Sequence, residues 1–265
     1  MHRNLHAGFL GSGMADEADE VDLEALEALR RIADELESSG EALTRTTLMR
    51  RLDIASELFT RAADHGCFCG FLERGSQNYY TRLKAYVVPE EAYYGVVQTS
   101  LEALWRDERY DPADFYVEKT ARRDSKIEGP WTRPDLTLVS YKRFPWTIGT
   151  EFDVVTFEVK RPDSANVLAV FEALSHASAA TRAYVVFPIE PKAWRSANPA
   201  QEKRVRDECI RHGVGLILVH RKGGKIVQHH ELKAARREID HDKCSDFLDA
   251  VLTDDGKRRI SAWKS

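Results

Sequence analysis

Apolar residues recur at intervals of three and four over three stretches near the start of the chain, which places them on one face of an α-helix. Two shorter segments rich in apolar and aromatic residues follow, separated by Gly75-Ser-Gln-Asn78, a sequence typical of a turn. The pattern predicts helices over 21–36, 44–52 and 55–63 and strands over 68–73 and 79–87. Three helices and a β-hairpin suffice for a small domain, which we place at residues 19–88, after a loose tail over residues 1–18.

The rest of the chain, residues 89–265, mixes both periodicities and predicts a second domain of α/β class. Its first helix has a proline in the first turn, where the missing N–H is not needed. The predicted order is a helix over 89–108, a strand over 115–120, strands around Asp135 and Glu158, a helix over about 164–179 capped by Asp163 or Ser164, and a strand over 183–187. A further helix around 198–212 and a strand over 213–219 extend the sheet. Leu168, Phe171 and Leu174 are predicted to pack on it, since they share one helical face.

Two acidic residues and a lysine carry the chemistry of the second domain. Pro134-Asp135 precedes one strand, and Glu158-Val159-Lys160 ends the next. Side chains two apart on a strand share a face, so Glu158 and Lys160 point the same way. Carboxylates suit a hard divalent cation, and a neighbouring ammonium suits a phosphate.

On these residues the chain resembles the PD-(D/E)xK superfamily, the restriction-endonuclease-like nucleases. The α-β-β-β-α-β order around the motif is that family's core. The resemblance implies that Asp135 and Glu158 bind Mg²⁺ (or Mn²⁺), that the carbonyl of Val159 adds a ligand, and that Lys160 is catalytic. The alternative is a turn-starting Pro-Asp and an exposed Glu/Lys pair that meet no common ion.

Accessory residues are predicted on both helices of this core. Glu172 and His176 lie four apart on one helical face, where some members of the superfamily have Gln and Tyr facing the active site. A solvated ion pair explains them equally well. A fourth acid on the first core helix is frequent in the family, and Glu102, or Glu118 on the next strand, is the candidate.

The first domain resembles a winged helix-turn-helix module, in which the third helix enters the DNA major groove and the hairpin touches the backbone. The predicted contacts lie on that helix and on the hairpin: Ser56, Thr60, Arg61, Arg74, Arg82 and Lys84. The helix is poorly basic, and modules of this kind also dock proteins or dimerise.

Composition narrows the class of protein. The 265 residues carry a formal net charge of −4, with 43% hydrophobic and 31% charged residues, as in ordinary globular proteins. No apolar run approaches the roughly 18 residues that span a bilayer, so we expect no membrane partner and a cytoplasmic location. A net-negative chain argues against tight nonspecific DNA binding.

Together these features predict a metal-dependent nuclease that hydrolyses nucleic-acid phosphodiesters, with DNA the expected substrate. By analogy with nucleases of similar build, a role in bacterial defence or restriction and a homodimer or partner subunit are expected. Two alternatives stay open. One is a non-catalytic winged-helix DNA-binding regulator or assembly subunit, and the other an unrelated α/β protein in which the motif is accidental.

Overall fold

A computed structural model describes residues 22–121, 133–146, 148–222 and 225–263. The chain divides into two compact units, Met1–Val88 and Pro89–Ser265. The predicted mixed α/β class is confirmed. The tail predicted over residues 1–18 lies outside the described residues. In the described part of the chain, no helix is long and apolar enough to cross a membrane.

The first unit contains three helices and a small antiparallel sheet of order β1-β3-β2. The elements are α1 (Leu23–Ser39), β1 (Leu43–Thr44), α2 (Arg45–Leu52), α3 (Ser56–Phe68), β2 (Leu72–Arg74) and β3 (Tyr79–Arg82). The side chain of Asp22 caps the start of α1, which ends at Gly40 in the left-handed region with φ of 66°. Glycine adopts that conformation without steric cost, which makes Gly40 a favourable helix stop.

The predicted strand over 68–73 is wrong at its start, because α3 continues to Phe68. The buried stripe of α3 extends to Gly66, which packs so closely on Leu29 and Leu72 that an added Cβ would lie 2.5 Å and 2.9 Å from their Cδ1 atoms. Close packing on α1 therefore keeps the helix going past the residues whose apolar run suggested a strand. The predicted strand over 79–87 is also shorter and ends at Arg82.

The second unit is built on a six-stranded sheet of order β4-β5-β6-β7-β8-β9. Its strands are β4 (Phe115–Lys119), β5 (Leu136–Arg143), β6 (Thr150–Val159), β7 (Arg182–Phe187), β8 (Gly215–Lys222) and β9 (Lys225–Leu232). Its helices are α4 (Tyr94–Asp107), α5 (Val167–His176), α6 (Pro191–Ala197), α7 (Pro199–His212), α8 (His241–Val251) and α9 (Asp254–Ala262).

The central strands β6, β7 and β8 run parallel, and the outer pairs are antiparallel. Leu136 pairs with Phe157 across β5 and β6, so the next residues outward, Asp135 and Glu158, lie opposite each other. This register places both acids at the end of the sheet where β6 finishes. Because parallel strands end at the same edge, the loops after β6 and β7 gather there.

Helices cover both faces of this sheet. On one face, Trp105 of α4 packs edge-on against Phe157 with ring centroids 5.8 Å apart. On the other, Val170 and Ala173 of α5 form a core with Val185 and Phe187 of β7. Phe157 and Glu158 point to opposite faces, so the glutamate lies on the side of α5.

Two features of α5 differ from the prediction. The helix begins at Val167, with Asn166 as its cap, because Pro162–Ser164 form a separate 3-10 turn. Leu168 and Phe171 are 60% and 39% exposed and do not form its packing face. The smaller Ala169, Val170 and Ala173 are buried instead.

Candidate active site

Asp135 immediately precedes β5 and is almost completely buried, with 7% of its surface exposed. The hydroxyl of Tyr94 donates to its Oδ1 at 2.5 Å, and the backbone N–H of Val159 donates to its Oδ2 at 2.7 Å. The turn before it is fixed as well, since the Thr120 hydroxyl donates to the carbonyl of Pro134 at 2.7 Å. Both carboxylate oxygens of Asp135 are therefore held in a defined orientation.

Glu158 is oriented in the same way from two elements. Lys160, two residues along the chain, donates to Oε1 at 2.6 Å, as the shared strand face predicted. Nε2 of the buried His176 on α5 lies 3.3 Å from Oε2. Each carboxylate oxygen of the pair thus has a protein partner among the described residues, and Glu158 also contacts Glu172. Carboxylate oxygens carry about two lone pairs each, so the pair keeps capacity for a further ligand.

Lys160 is surrounded by carboxylates. Its Nζ lies 2.6 Å from Glu158, 2.9 Å from Glu172 and 3.3 Å from Glu90. These acids come from a strand, from α5 and from the 3-10 turn Glu90–Tyr93 that leads into α4. The sequence neighbours of Lys160 alone do not explain this arrangement, since Glu90 is 70 residues away.

Burial and charge set the protonation of this cluster. Loss of hydration, with the neighbouring negative charge of Glu158, raises the pKa of Asp135 to about 7, against the opposing effect of its hydrogen bonds from Tyr94 and Val159. Burial also raises the pKa of Glu158, and the Lys160 ammonium opposes that rise. The pKa of Lys160 lies above its ordinary value, because its carboxylate partners outweigh the cost of burial. Lys160 is therefore an ammonium at neutral pH.

His176 is neutral at the same pH. Burial lowers its pKa to about 4, although Asp135 and Glu172 act in the other direction. A neutral imidazole contributes one N–H, and when Glu158 is ionised the contact between them requires that proton on Nε2. The side chain thus acts as an uncharged donor that orients the carboxylate.

The structure brings together five of the predicted residues, Asp135, Glu158, Lys160, Glu172 and His176, and adds two. Glu90 and Tyr94 lie at the N-terminal end of the first core helix, beyond the predicted positions on it. The only sequence signal for Glu90 is its place after Pro89, and an acid in a first helical turn is usually explained by the helix dipole. Tyr94 reads as an ordinary apolar helix residue. Only the fold shows that each reaches the strands.

The structure places Glu102 and Glu118, the two residues predicted as a fourth acid, outside the cluster. Glu102 lies eight residues, about two turns, beyond Tyr94 on α4 and pairs with Arg106 at 3.3 Å. The carboxylate of Glu118 accepts the backbone N–H of Thr253, the capping residue of α9, at 3.0 Å and 3.3 Å from its two oxygens. Glu118 therefore stabilises a helix start, and Glu90 is the acid that the first helical segment supplies.

A groove of about 470 Å³ opens over the cluster and gives it access from outside. Glu90, Lys160 and Glu172 lie along it together with Arg161 and Asn166. The lining of this groove includes Lys160 but not Asp135 or Glu158, which are more deeply buried beside it.

The residues predicted to bind nucleic acid in the first unit are engaged within that unit. Arg45 donates to the Ser56 and Thr60 hydroxyls at 2.8 Å each, which fixes the start of α3. The four basic residues among the predicted contacts also have partners: Arg61 pairs with Asp22, Arg74 with Asp64 and Arg82 with Glu37, and Lys84 lies over the ring of Phe71. The exposed side of α3 also carries Glu57, so it presents no strongly basic surface.

Among the described residues, no group of three or more His, Cys, Asp and Glu side chains is arranged as a metal cluster. The predicted donor set, two carboxylates and the Val159 carbonyl, does not require one. No protein-family model matches the chain, and no curated protein is significantly similar to it.

Proposed function

We propose that the second unit is a metal-dependent nuclease with a restriction-endonuclease-like core, acting on nucleic-acid phosphodiester bonds. The observation that carries the proposal is the position of Asp135 and Glu158, opposite each other at the end of two paired strands, with the Lys160 ammonium 2.6 Å from Glu158. The order α4-β4-β5-β6-α5-β7 is that of the superfamily which the motif resembles.

The residues fit a divalent cation. Two buried carboxylates lie opposite each other at an edge where burial raises both pKa values, helped by the charge of Glu158 at Asp135 and of Glu172 at Glu158. A cation bound by both carboxylates removes that cost. Asp135, Glu158 and the Val159 carbonyl are hard oxygen ligands, as Mg²⁺ or Mn²⁺ requires. When bound, the ion polarises a phosphoryl oxygen and lowers the pKa of a bound water.

The protein's own groups orient the reacting parts. Tyr94 and the Val159 N–H hold Asp135, and His176 holds Glu158, which places the ligand oxygens before an ion arrives. Lys160, which stays protonated, stabilises negative charge on the phosphate or on the attacking water. Glu90 and Glu172 keep the ammonium at the mouth of the groove.

For the first unit, we propose a winged helix-turn-helix module. Helices α1–α3 and the sheet in which β1 pairs with β3 support it. The internal pairing of Arg61, Arg74 and Arg82 favours docking of a protein partner or a second copy over reading of DNA by α3.

Cleavage of labelled DNA and RNA, single- and double-stranded, with Mg²⁺, Mn²⁺ or EDTA tests the nuclease. Asp135→Asn and Lys160→Met test the site, and Glu102→Gln is the matched control, because it removes a carboxylate outside the cluster. Metal-dependent cleavage that both site variants lose and the control keeps supports the proposal. Equal cleavage by all four proteins would assign the activity to another site or to a contaminant. No cleavage by the wild type with any of these substrates would favour a non-catalytic assembly subunit.

A further inference from the structure

A second groove, of about 400 Å³, lies between the starts of α5 and α7. It adjoins the 470 Å³ groove over Lys160, which we call the catalytic groove. Asn166 and Leu168 line both grooves, so the two lie side by side. The Gln201 side chain fixes their common wall, since its amide donates to the Ala165 carbonyl at 2.6 Å. A molecule that extends beyond the catalytic cluster in this direction enters the second groove.

The second groove combines an exposed apolar side chain with a cation. Leu168 of α5 is 60% exposed and lines this groove, as does Arg204 of α7. Among the residues the structure describes, Arg204 has no carboxylate within ion-pair distance. Its neighbours differ, since Lys203 pairs with Asp207 at 2.6 Å and Arg206 contacts Glu202 and Glu231. An exposed leucine by itself is ordinary. Here it lies between the catalytic groove and an uncommitted guanidinium.

Charge makes the position of Arg204 informative. The catalytic cluster holds four carboxylates, Asp135, Glu90, Glu158 and Glu172, around one ammonium. A polyanion that reaches this cluster needs positive charge beside it for its flanking phosphates. Guanidinium groups bind phosphate oxygens through paired N–H donors, so Arg204 suits that role.

We propose that this second groove binds the nucleotide next to the scissile phosphate, with Arg204 on its phosphate and Leu168 against its sugar or base. The inference rests on the proposed nuclease function and assigns a substrate subsite to it. Binding of the flanking nucleotide positions the scissile phosphate over Lys160, because the two grooves share a wall. Arg204 is a binding residue in this scheme and takes no part in the chemistry.

The test measures binding apart from cleavage. Fluorescein-labelled short DNA duplexes, single-stranded DNA and RNA are titrated with protein in EDTA and in Ca²⁺, and anisotropy gives the affinity. Arg204→Ala is compared with Lys203→Ala, which removes the same charge one residue away from an ion-paired, exposed position. Leu168→Glu is compared with Ile210→Glu on α7, whose side chain is 67% exposed and lies outside the groove. All four positions are exposed, so folding is preserved.

We expect Arg204→Ala to weaken binding about tenfold, as for a lost charge-assisted phosphate contact. The slope of log affinity against log salt should fall by about 1. Leu168→Glu should weaken binding at least as much, and Lys203→Ala and Ile210→Glu should stay close to the wild type.

The outcomes separate this proposal from the nuclease assignment. If the wild type cleaves nucleic acid but Arg204→Ala and Leu168→Glu bind and cleave like their controls, the subsite is wrong and the nuclease stands. If the wild type cleaves nothing but binds in an Arg204-dependent manner, the second groove stands as a nucleic-acid-binding site and the nuclease assignment is wrong. If the wild type binds none of the probes, the subsite is overturned.

Discussion

The Tyr94 hydroxyl donates a hydrogen bond to Asp135 across 41 residues of sequence, and both side chains are buried. This contact ties the start of α4 to the strand that carries the first acid of the motif. It also makes the orientation of Asp135 depend on a residue that no sequence motif identifies.

Replacing Tyr94 with Phe should therefore impair metal binding without removing a ligand. Loss of an orienting partner typically lowers metal affinity about 10- to 100-fold, so the metal concentration for half-maximal cleavage should rise accordingly. The buried hydrogen bond should cost about 1–3 kcal/mol of stability. Metal titration of the cleavage rate and urea unfolding measure the two effects.

Tyr141→Phe is the control for this variant, because the buried Tyr141 hydroxyl has no hydrogen-bond partner among the described residues. Tyr141→Phe should leave the metal dependence unchanged. An equal shift in both variants would show that Tyr94 acts only through general packing.

Lys160→Met should separate ion binding from chemistry. The ammonium lies beside the proposed ligand Glu158, so its removal takes away a charge that repels a divalent cation. We expect the Mn²⁺ affinity of Lys160→Met, measured by calorimetry, to be equal to or higher than that of the wild type. Cleavage should fall by about 10²-fold or more, as when an electrostatic stabiliser of the transition state is lost. A loss of Mn²⁺ binding would instead make Lys160 a structural support of the ligands.

The metal-free protein should lose stability as pH rises from about 4 to about 7. The folded-state pKa of Asp135, about 7, exceeds the ordinary value of 3.8, so the folded state holds a proton that the unfolded state has released in this range. Stability is therefore highest below the unfolded pKa and falls until the folded carboxyl has ionised. His176 contributes with the opposite sign, since burial lowers its pKa.

Asp135→Asn isolates the aspartate, because His176 is present in both proteins. The variant should gain about 2–4 kcal/mol relative to the wild type between pH 4 and pH 8 in EDTA. Urea unfolding at both pH values measures this difference. Asp246→Asn, at an exposed position on α8, controls for loss of a negative charge. A pH-independent difference between Asp135→Asn and the wild type would contradict the burial of an ionisable Asp135.

Divalent cations should stabilise the second unit through Asp135 and Glu158. At about 100 times its dissociation constant, a ligand that binds only the folded state adds about 2.7 kcal/mol. For a unit of this size that corresponds to a rise in Tm of about 5–10 °C. Thermal unfolding with Mn²⁺ and with EDTA should show the rise in the wild type and in Glu102→Gln. If Mn²⁺ raised the Tm of Asp135→Asn by the same amount, the cation would bind at another site.

Basic residues of the first unit should matter more for its stability than for nucleic-acid affinity. Arg45 bonds to Ser56 and Thr60 and lies over the ring of Phe59, so Arg45→Ala should cost about 1–3 kcal/mol in urea unfolding. Arg61→Ala and Arg74→Ala, which break exposed ion pairs, should cost less than about 1 kcal/mol. Anisotropy with labelled DNA should show affinities within about twofold of the wild type for both. A tenfold loss of DNA affinity in either variant would instead support the prediction that α3 and the hairpin contact DNA.

Sequence patterns within short segments were sufficient to predict many of the helices and strands of the second unit. Period-two alternation located β5, β6 and β7 and placed Glu158 and Lys160 on one face, which the 2.6 Å contact between them confirms. A proline in the first turn marked the start of the helical segment that contains α4, and the helix predicted around 198–212 corresponds to α7 (Pro199–His212). These features depend on residues close together in sequence, and neighbouring residues suffice to specify them.

Long-range contacts decided the rest. The apolar spacing of Leu168, Phe171 and Leu174 indicated a packing face, and Leu174 does pack against the core. The fully buried face of α5 is formed by the smaller Ala169, Val170 and Ala173, whereas Leu168 and Phe171 are exposed. An apolar stripe does not reveal how closely two elements approach, and close approach selects small side chains. The same limit applies to α3, whose extension to Phe68 depends on the contact of Gly66 with Leu29.

The sequence by itself determined which residues can bind a hard cation and which strand face Glu158 and Lys160 share, because strand geometry and ligand chemistry are local. Only the tertiary structure decided that Asp135 lies opposite Glu158, that Glu90 and Tyr94 complete the cluster, and that Glu102 and Glu118 lie outside it. Strand register and helix placement bring together residues 41 and 70 positions apart in sequence. Both are fixed by the packing of the whole sheet, which no short segment encodes.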